Sequence, residues 1–209
     1  MTLDARTLAA ALLVLTPLVG GIPIGYPPLL PVWSATRERH IEIIAAHRRS
    51  WLLLNAGFCL ATLGTGAGLV ALAVDLADDA GVSAAVGALA AVYLAAGVLW
   101  CAVLAIRART TPALFDLGAT HAEPSPAEVL LGAATGGMFV VFVLATAVTL
   151  VCLFAVLALG GVVPVVVAIV GGLIAAVALV GQLVTGDTIP AVLYLPTLLV
   201  GISLLAGWS

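Results

Sequence analysis

Apolar residues run in six long stretches, and the short segments between them hold nearly all of the charge. The stretches cover about residues 7–30, 51–74, 82–106, 128–159, 161–184 and 188–208. A helix rising 1.5 Å per residue needs roughly 20 apolar residues to cross a bilayer core, and each stretch supplies them. The pattern predicts an all-α integral membrane bundle of about six transmembrane helices, one multi-pass domain over 1–209.

The polar segments refine this picture. Residues 34–50 (SATRERHIEIIAAHRRS) place Thr36 where it can cap a helix and Glu38 in the favoured first turn. Ile41, Ile44 and Ala45 then recur at helical spacing, so a short amphipathic helix is expected to lie on the membrane between spans one and two. Span one ends in Gly20-Gly21-Ile22-Pro23-Ile24-Gly25-Tyr26-Pro27-Pro28. Proline removes a backbone donor and glycine loosens a helix, which predicts a kink or an early end near Pro23, with Tyr26 and Trp33 close to the interface. Arg6 precedes an apolar run, as in a signal peptide, but no small-x-small cleavage site follows, and a retained first span is expected.

Pro112, Pro124 and Pro126 predict an irregular segment over 107–127. The fourth stretch exceeds one bilayer thickness and is expected to tilt or to project. Gly160-Gly161 and Thr185-Gly186-Asp187 mark turns, and Pro164 falls in the first turn of span five. The run from Ile22 to Pro31 loosely echoes the run from Ile189 to Leu199, but only with a gap and through common membrane residues.

Composition supports the membrane reading. The chain is 64% hydrophobic and 8% charged, with a mean hydropathy of +1.30. Soluble domains carry about a quarter charged residues. A net charge of −3 with no basic face excludes nucleic acid as a partner. Lysine is absent, and Ala, Val, Leu and Gly abound, which points to a prokaryotic cytoplasmic membrane. Arg37, Arg39, Arg48, Arg49, Arg107 and Arg109 follow spans one and three, while Arg6 and the acidic Asp75, Asp78 and Asp79 fall on the other side. The positive-inside rule predicts that 34–50 and 107–127 are cytoplasmic and both termini outside.

Candidate chemistry is sparse. No ionisable residue falls in the middle of a span, which argues against a proton-relay pump or charge-coupled carrier. His40, His47 and His121 lie in loops, so no haem ligand is expected within the membrane. His40 and His47 would stand about 10 Å apart along one helix, too far to share a metal ion. Cys59, Cys101 and Cys152 are widely spaced, without a CxxC pair, and read as small apolar side chains. No GxSxG, HExxH, P-loop or dinucleotide fingerprint occurs, and neither a catalytic residue nor a cofactor is expected.

Asn55 and Gln182 are the intramembrane polar candidates, as interhelical contacts or as the lining of a polar pathway. Arg37, Arg39, Arg48 and Arg49 are candidates for anionic headgroup contacts. The GxxxG pairs Gly21/Gly25, Gly64/Gly68 and Gly132/Gly136 offer close-packing faces within the bundle, toward a second copy or toward a membrane-protein partner. The expected role is therefore structural, interacting or lipid-contacting, with membrane lipids as partners. The first alternative is a small-solute or ion transporter. The second is a membrane-embedded enzyme acting on an anionic lipid at the arginine-bearing face through Arg37, Arg39, Arg48, His47 and His121.

Overall fold

A computed structural model of the chain describes residues 4–21, 26–186 and 188–207. Its α-helices are α1 (Ala5–Gly21), α2 (Arg37–Ala46), α3 (Arg48–Asp75), α4 (Ala80–Asp116), α5 (Pro126–Leu159), α6 (Val165–Thr185) and α7 (Tyr194–Leu205). Short 3-10 turns occupy Pro27–Trp33, Ala119–His121 and Pro190–Leu193. The protein is thus an all-α bundle of the membrane type. Helices α3 to α6 are each long and apolar enough to cross a membrane, and α1 and α7 are shorter apolar helices.

Each end of a helix has a local cause. Asp79 caps α4 by accepting from the backbone N–H groups of Gly81 and Val82, both at 3.1 Å. Ser125 and Glu128 form a reciprocal capping box at the start of α5. Gly161 and Gly186 adopt left-handed φ values of 65° and 72°, which lets the chain turn after α5 and after α6. The kink expected at Pro23 lies outside the described residues, as do Gly25 and Asp187. On the near side α1 closes at Gly21; on the far side Pro27 and Pro28 open a 3-10 turn.

Two segments differ from the reading of the sequence. The apolar run over 82–106 belongs to a helix that continues to Asp116, through Arg107, Arg109 and Pro112. Pro112 removes a single ladder donor, and the helix resumes around it, with Leu117 N–H donating to Ala113. Helix α2 buries Ile41, Ile43 and Ile44 against α4 and the Pro27–Trp33 turn, so its apolar face is covered by protein where contact with the membrane surface was expected. His47, with φ −125° and ψ 38°, separates α2 from α3.

The six apolar helices close a ring in which α1 packs on α3, α3 on α4, α4 on α5, α5 on α6, α6 on α7, and α7 on α1. Small residues set the close approaches. On α3, Gly64 abuts Thr16 of α1, and a Cβ at Gly68 would lie 2.9 Å from Leu13 Cγ. Helix α4 meets α3 through Gly97, where a Cβ would lie 2.6 Å from Thr62 Cγ2. Without such contacts helices in lipid have little reason to associate, because acyl chains are as apolar as leucine. Aromatic residues fill the interior: Trp100 stacks on Phe142 at 5.2 Å, and Phe58 lies 6.3 Å from Trp100 and 6.4 Å from Tyr194. The Thr62 hydroxyl and the Tyr194 hydroxyl share a hydrogen bond of 2.7 Å that ties α3 to α7. The outer face of α6 is the reverse: Val166, Val177 and Leu183 are each at least 67% exposed. Such a surface is tolerable where it faces lipid.

Candidate functional site

At the end of the bundle that carries the arginines, α3, α4 and α5 enclose a cavity of about 710 Å³. Leu30, Trp33 and the 188–191 segment complete its wall. The size falls within the range of small-molecule sites. Its lining is apolar and aromatic, with Trp51, Phe58, Trp100 and Phe139 among the walls, and among the described residues it holds one ionisable group, Arg107.

Arg107 is partly buried in the last third of α4, and no carboxylate pairs with it among the described residues. Its guanidinium carbon lies 5.5 Å from the centre of the Trp51 ring. The Trp51 indole N–H donates to the Arg107 carbonyl oxygen at 3.4 Å, so backbone and side chain of one residue hold the same ring. His40 meets the Trp51 ring edge-on at 6.0 Å and bonds the Val32 carbonyl from Nδ1 at 3.2 Å. Burial pulls the His40 pKa below its ordinary value, and the nearby Arg107 charge acts in the same direction. His40 is therefore neutral at pH 7 and leaves Arg107 as the positive charge of the cavity.

Asn55 sits one turn beyond Trp51 and lines the same cavity. Its Nδ2 donates to the Trp51 carbonyl at 2.7 Å, and its Oδ1 has no partner among the described residues. Gln182 is equally buried, with Oε1 unpartnered among the described residues, but lies on α6 away from the cavity. The two intramembrane amides are therefore not brought together.

The four arginines considered for headgroup contact have separate fates. Arg37 donates to the carbonyls of Ala119, Thr120 and Ala122 and pairs with Glu128 at 2.8 Å, tying α2 to the start of α5. Arg39 pairs with Glu42 on the same helix at 3.0 Å. Arg48 forms a two-pronged pair with Asp116 across α3 and α4. Arg49 is exposed, with no ion pair among the described residues. His47 packs against Tyr26 at 6.1 Å, His121 is exposed, and neither lines the cavity.

Reading the sequence for sites passed over Arg107 and its tryptophan. One signal was available: Arg107 is the first charge after an apolar run of 25 residues (82–106), with no acidic residue within a helical turn on either side. The glycine pairs also separate. Gly64 and Gly68 are spent on α1, no described residue stands near the Cβ position of Gly21, and Gly132 and Gly136 line the cavity, with no described residue where a Cβ would stand. No protein-family model, curated protein or solved structure matches the chain.

Proposed function

We propose that this membrane protein binds a lipophilic anion in the α3–α4–α5 cavity, with the anionic group on Arg107 and the apolar part among Trp51, Phe58, Trp100 and Phe139. The observation that carries the reading is an uncompensated guanidinium facing an apolar cavity. A charge in such a place costs free energy unless a partner of opposite sign joins it. Every other arginine that reaches into the bundle end has a carboxylate, namely Arg37 with Glu128 and Arg48 with Asp116. Among the described residues Arg107 has no carboxylate, and in this reading its partner is supplied by bilayer lipids, the nearest source of anionic amphiphiles. Asn55 Oδ1 and the Trp51 ring add a polar contact and a cation–π brace beside the head. The arginine-bearing end faces the cytoplasm in this reading, in line with the positive-inside rule.

Trp33, Trp51 and Trp100 line the cavity and report on its occupant. Delipidated protein in neutral detergent should show tryptophan quenching by palmitate brominated along its chain, saturating and displaced by unlabelled palmitate. A trimethylammonium amphiphile with the same brominated chain should quench at least tenfold more weakly. Equal quenching by both would remove the anion from the proposal.

A further inference from the structure

The large cavity does not end at Arg107. A second hollow of about 550 Å³ lies between α4 and α5 nearer the end of the bundle, lined by Leu114, Leu117 and Val129 with Arg37 and Glu128 at its rim. The two hollows share Arg107, Gly132 and Thr135. Arg107 therefore stands at the waist between them.

The first turns of α5 explain the opening. From Ala127 to Gly137 only Glu128 and Thr135 are partly covered, and the rest of that segment is exposed. Farther along, Phe142, Val143 and Ala147 are fully buried. Helix α5 thus packs into the bundle over its second half and stands off from α4 over its first. Gly132 and Gly136 lie in that gap, one turn apart on one face, and no atom of the described residues comes within 4 Å of where their Cβ atoms would be. Thr135 turns its hydroxyl back to the Leu131 carbonyl at 2.8 Å, so it presents no free donor to the gap. The result is a smooth apolar slot running inward from the guanidinium to Trp100 and Phe139. Gly132 to Phe139 spans about 10 Å of helix.

We infer that the slot between α4 and α5 is a side portal that admits one acyl chain of a singly charged anionic lipid from the surrounding leaflet, with Gly132 and Gly136 as the residues that select for it. The inference rests on the anion-binding reading above and adds the route, the tail and the selecting residues. Charge complementarity names the head: one unpartnered guanidinium takes one carboxylate or phosphate. The slot names the tail, since a glycine-lined groove accepts a chain along the helix where any side chain would project into its path. The inner cavity receives that chain; the outer hollow leads to lipid.

The test uses full-length protein in phosphatidylcholine vesicles and a palmitate carrying a photoreactive diazirine in its chain. Adducts should map to α5 between residues 132 and 139 and to the facing turns of α4. Gly136→Phe fills space left open by the described residues and should melt within a degree or two of wild type, yet lose at least tenfold in palmitate labelling. Gly132→Leu is the second variant, should Gly136→Phe fail to fold. Undiminished palmitate labelling in both well-folded variants would overturn the slot while leaving the anion site intact. Wild-type protein that labels equally with a cationic probe of the same chain would overturn the anion site, and the slot with it.

Discussion

Arg107 and Trp51 hold one another twice, through a guanidinium 5.5 Å from the ring centre and an indole N–H on the Arg107 carbonyl. The pair joins the start of α3 to the end of α4 and sets the charge over the cavity. A cation over a tryptophan face contributes on the order of 0.5–2 kcal/mol. Trp51→Leu should therefore weaken binding of labelled palmitate by roughly threefold to thirtyfold, while the melting temperature falls modestly. Equilibrium dialysis measures the first and differential scanning fluorimetry the second. Unchanged affinity would separate the ring from the site.

His40 makes stability depend on pH. Its pKa is lowered in the folded protein by burial, with Arg107 acting in the same direction and the Val32 hydrogen bond against it. The unfolded chain then binds a proton more readily than the folded one. Stability is fully present above the ordinary value of 6.5 and is lost as pH falls from there through the lowered folded value. Melting temperature should drop between pH 7.5 and 5.5, and His40→Asn should flatten that part of the curve. A profile identical in the two proteins would remove His40 as its cause.

Glycines of the same spacing should respond oppositely. A side chain at Gly68 must displace Leu13, and overpacking of this kind costs about 1–3 kcal/mol. Gly136 has no neighbour to displace among the described residues, so Gly136→Ala should leave stability unchanged or raise it by up to about 1 kcal/mol through helix propensity. Chemical denaturation of Gly68→Leu beside Gly136→Ala in the same detergent tests the contrast. Comparable losses would mean that both faces are packed.

The register of α3 against α4 is open to a chemical test. Thr62 meets Gly97 and Phe58 meets Trp100, a register that places Cys59 of α3 beside Cys101 of α4. In a Cys152→Ser background, a dithiodipyridine oxidant should join Cys59 to Cys101 within one chain, with loss of two hydrogens from the peptide pair by mass spectrometry. The same treatment of Cys59→Ser should give no such product. Persistent free thiols in the first protein would contradict the register.

That pairing shows where reading from sequence stops. The odd number and wide spacing of Cys59, Cys101 and Cys152 say nothing of which ones face each other, because contacts between helices depend on rotation about each axis. The broad architecture was legible, since apolar length and polar punctuation alone dictate membrane helices. So were the acidic turn before α4 and the Gly161 turn. The extension of α4 through Pro112 was not, because a proline signals a break only where nothing else holds the helix, and here the Arg48–Asp116 pair braces that end. Arg107 was hidden for a related reason. Its sequence marked a loop charge, and only the longer helix carries it into the bundle beside Trp51. Likewise the spacing of Gly132 and Gly136 matches that of Gly64 and Gly68, and only the packing shows that one pair meets a helix and the other meets empty space.

The most direct measurement is a pair of palmitate binding isotherms, on wild-type protein and on Arg107→Gln, in one neutral detergent at pH 7.5. Removing a charge-assisted contact worth about 1.5–3 kcal/mol should weaken binding by roughly tenfold to over a hundredfold, with Arg107→Lys falling between. Equal affinities for wild type and a folded Arg107→Gln would contradict the proposal that Arg107 receives a lipophilic anion.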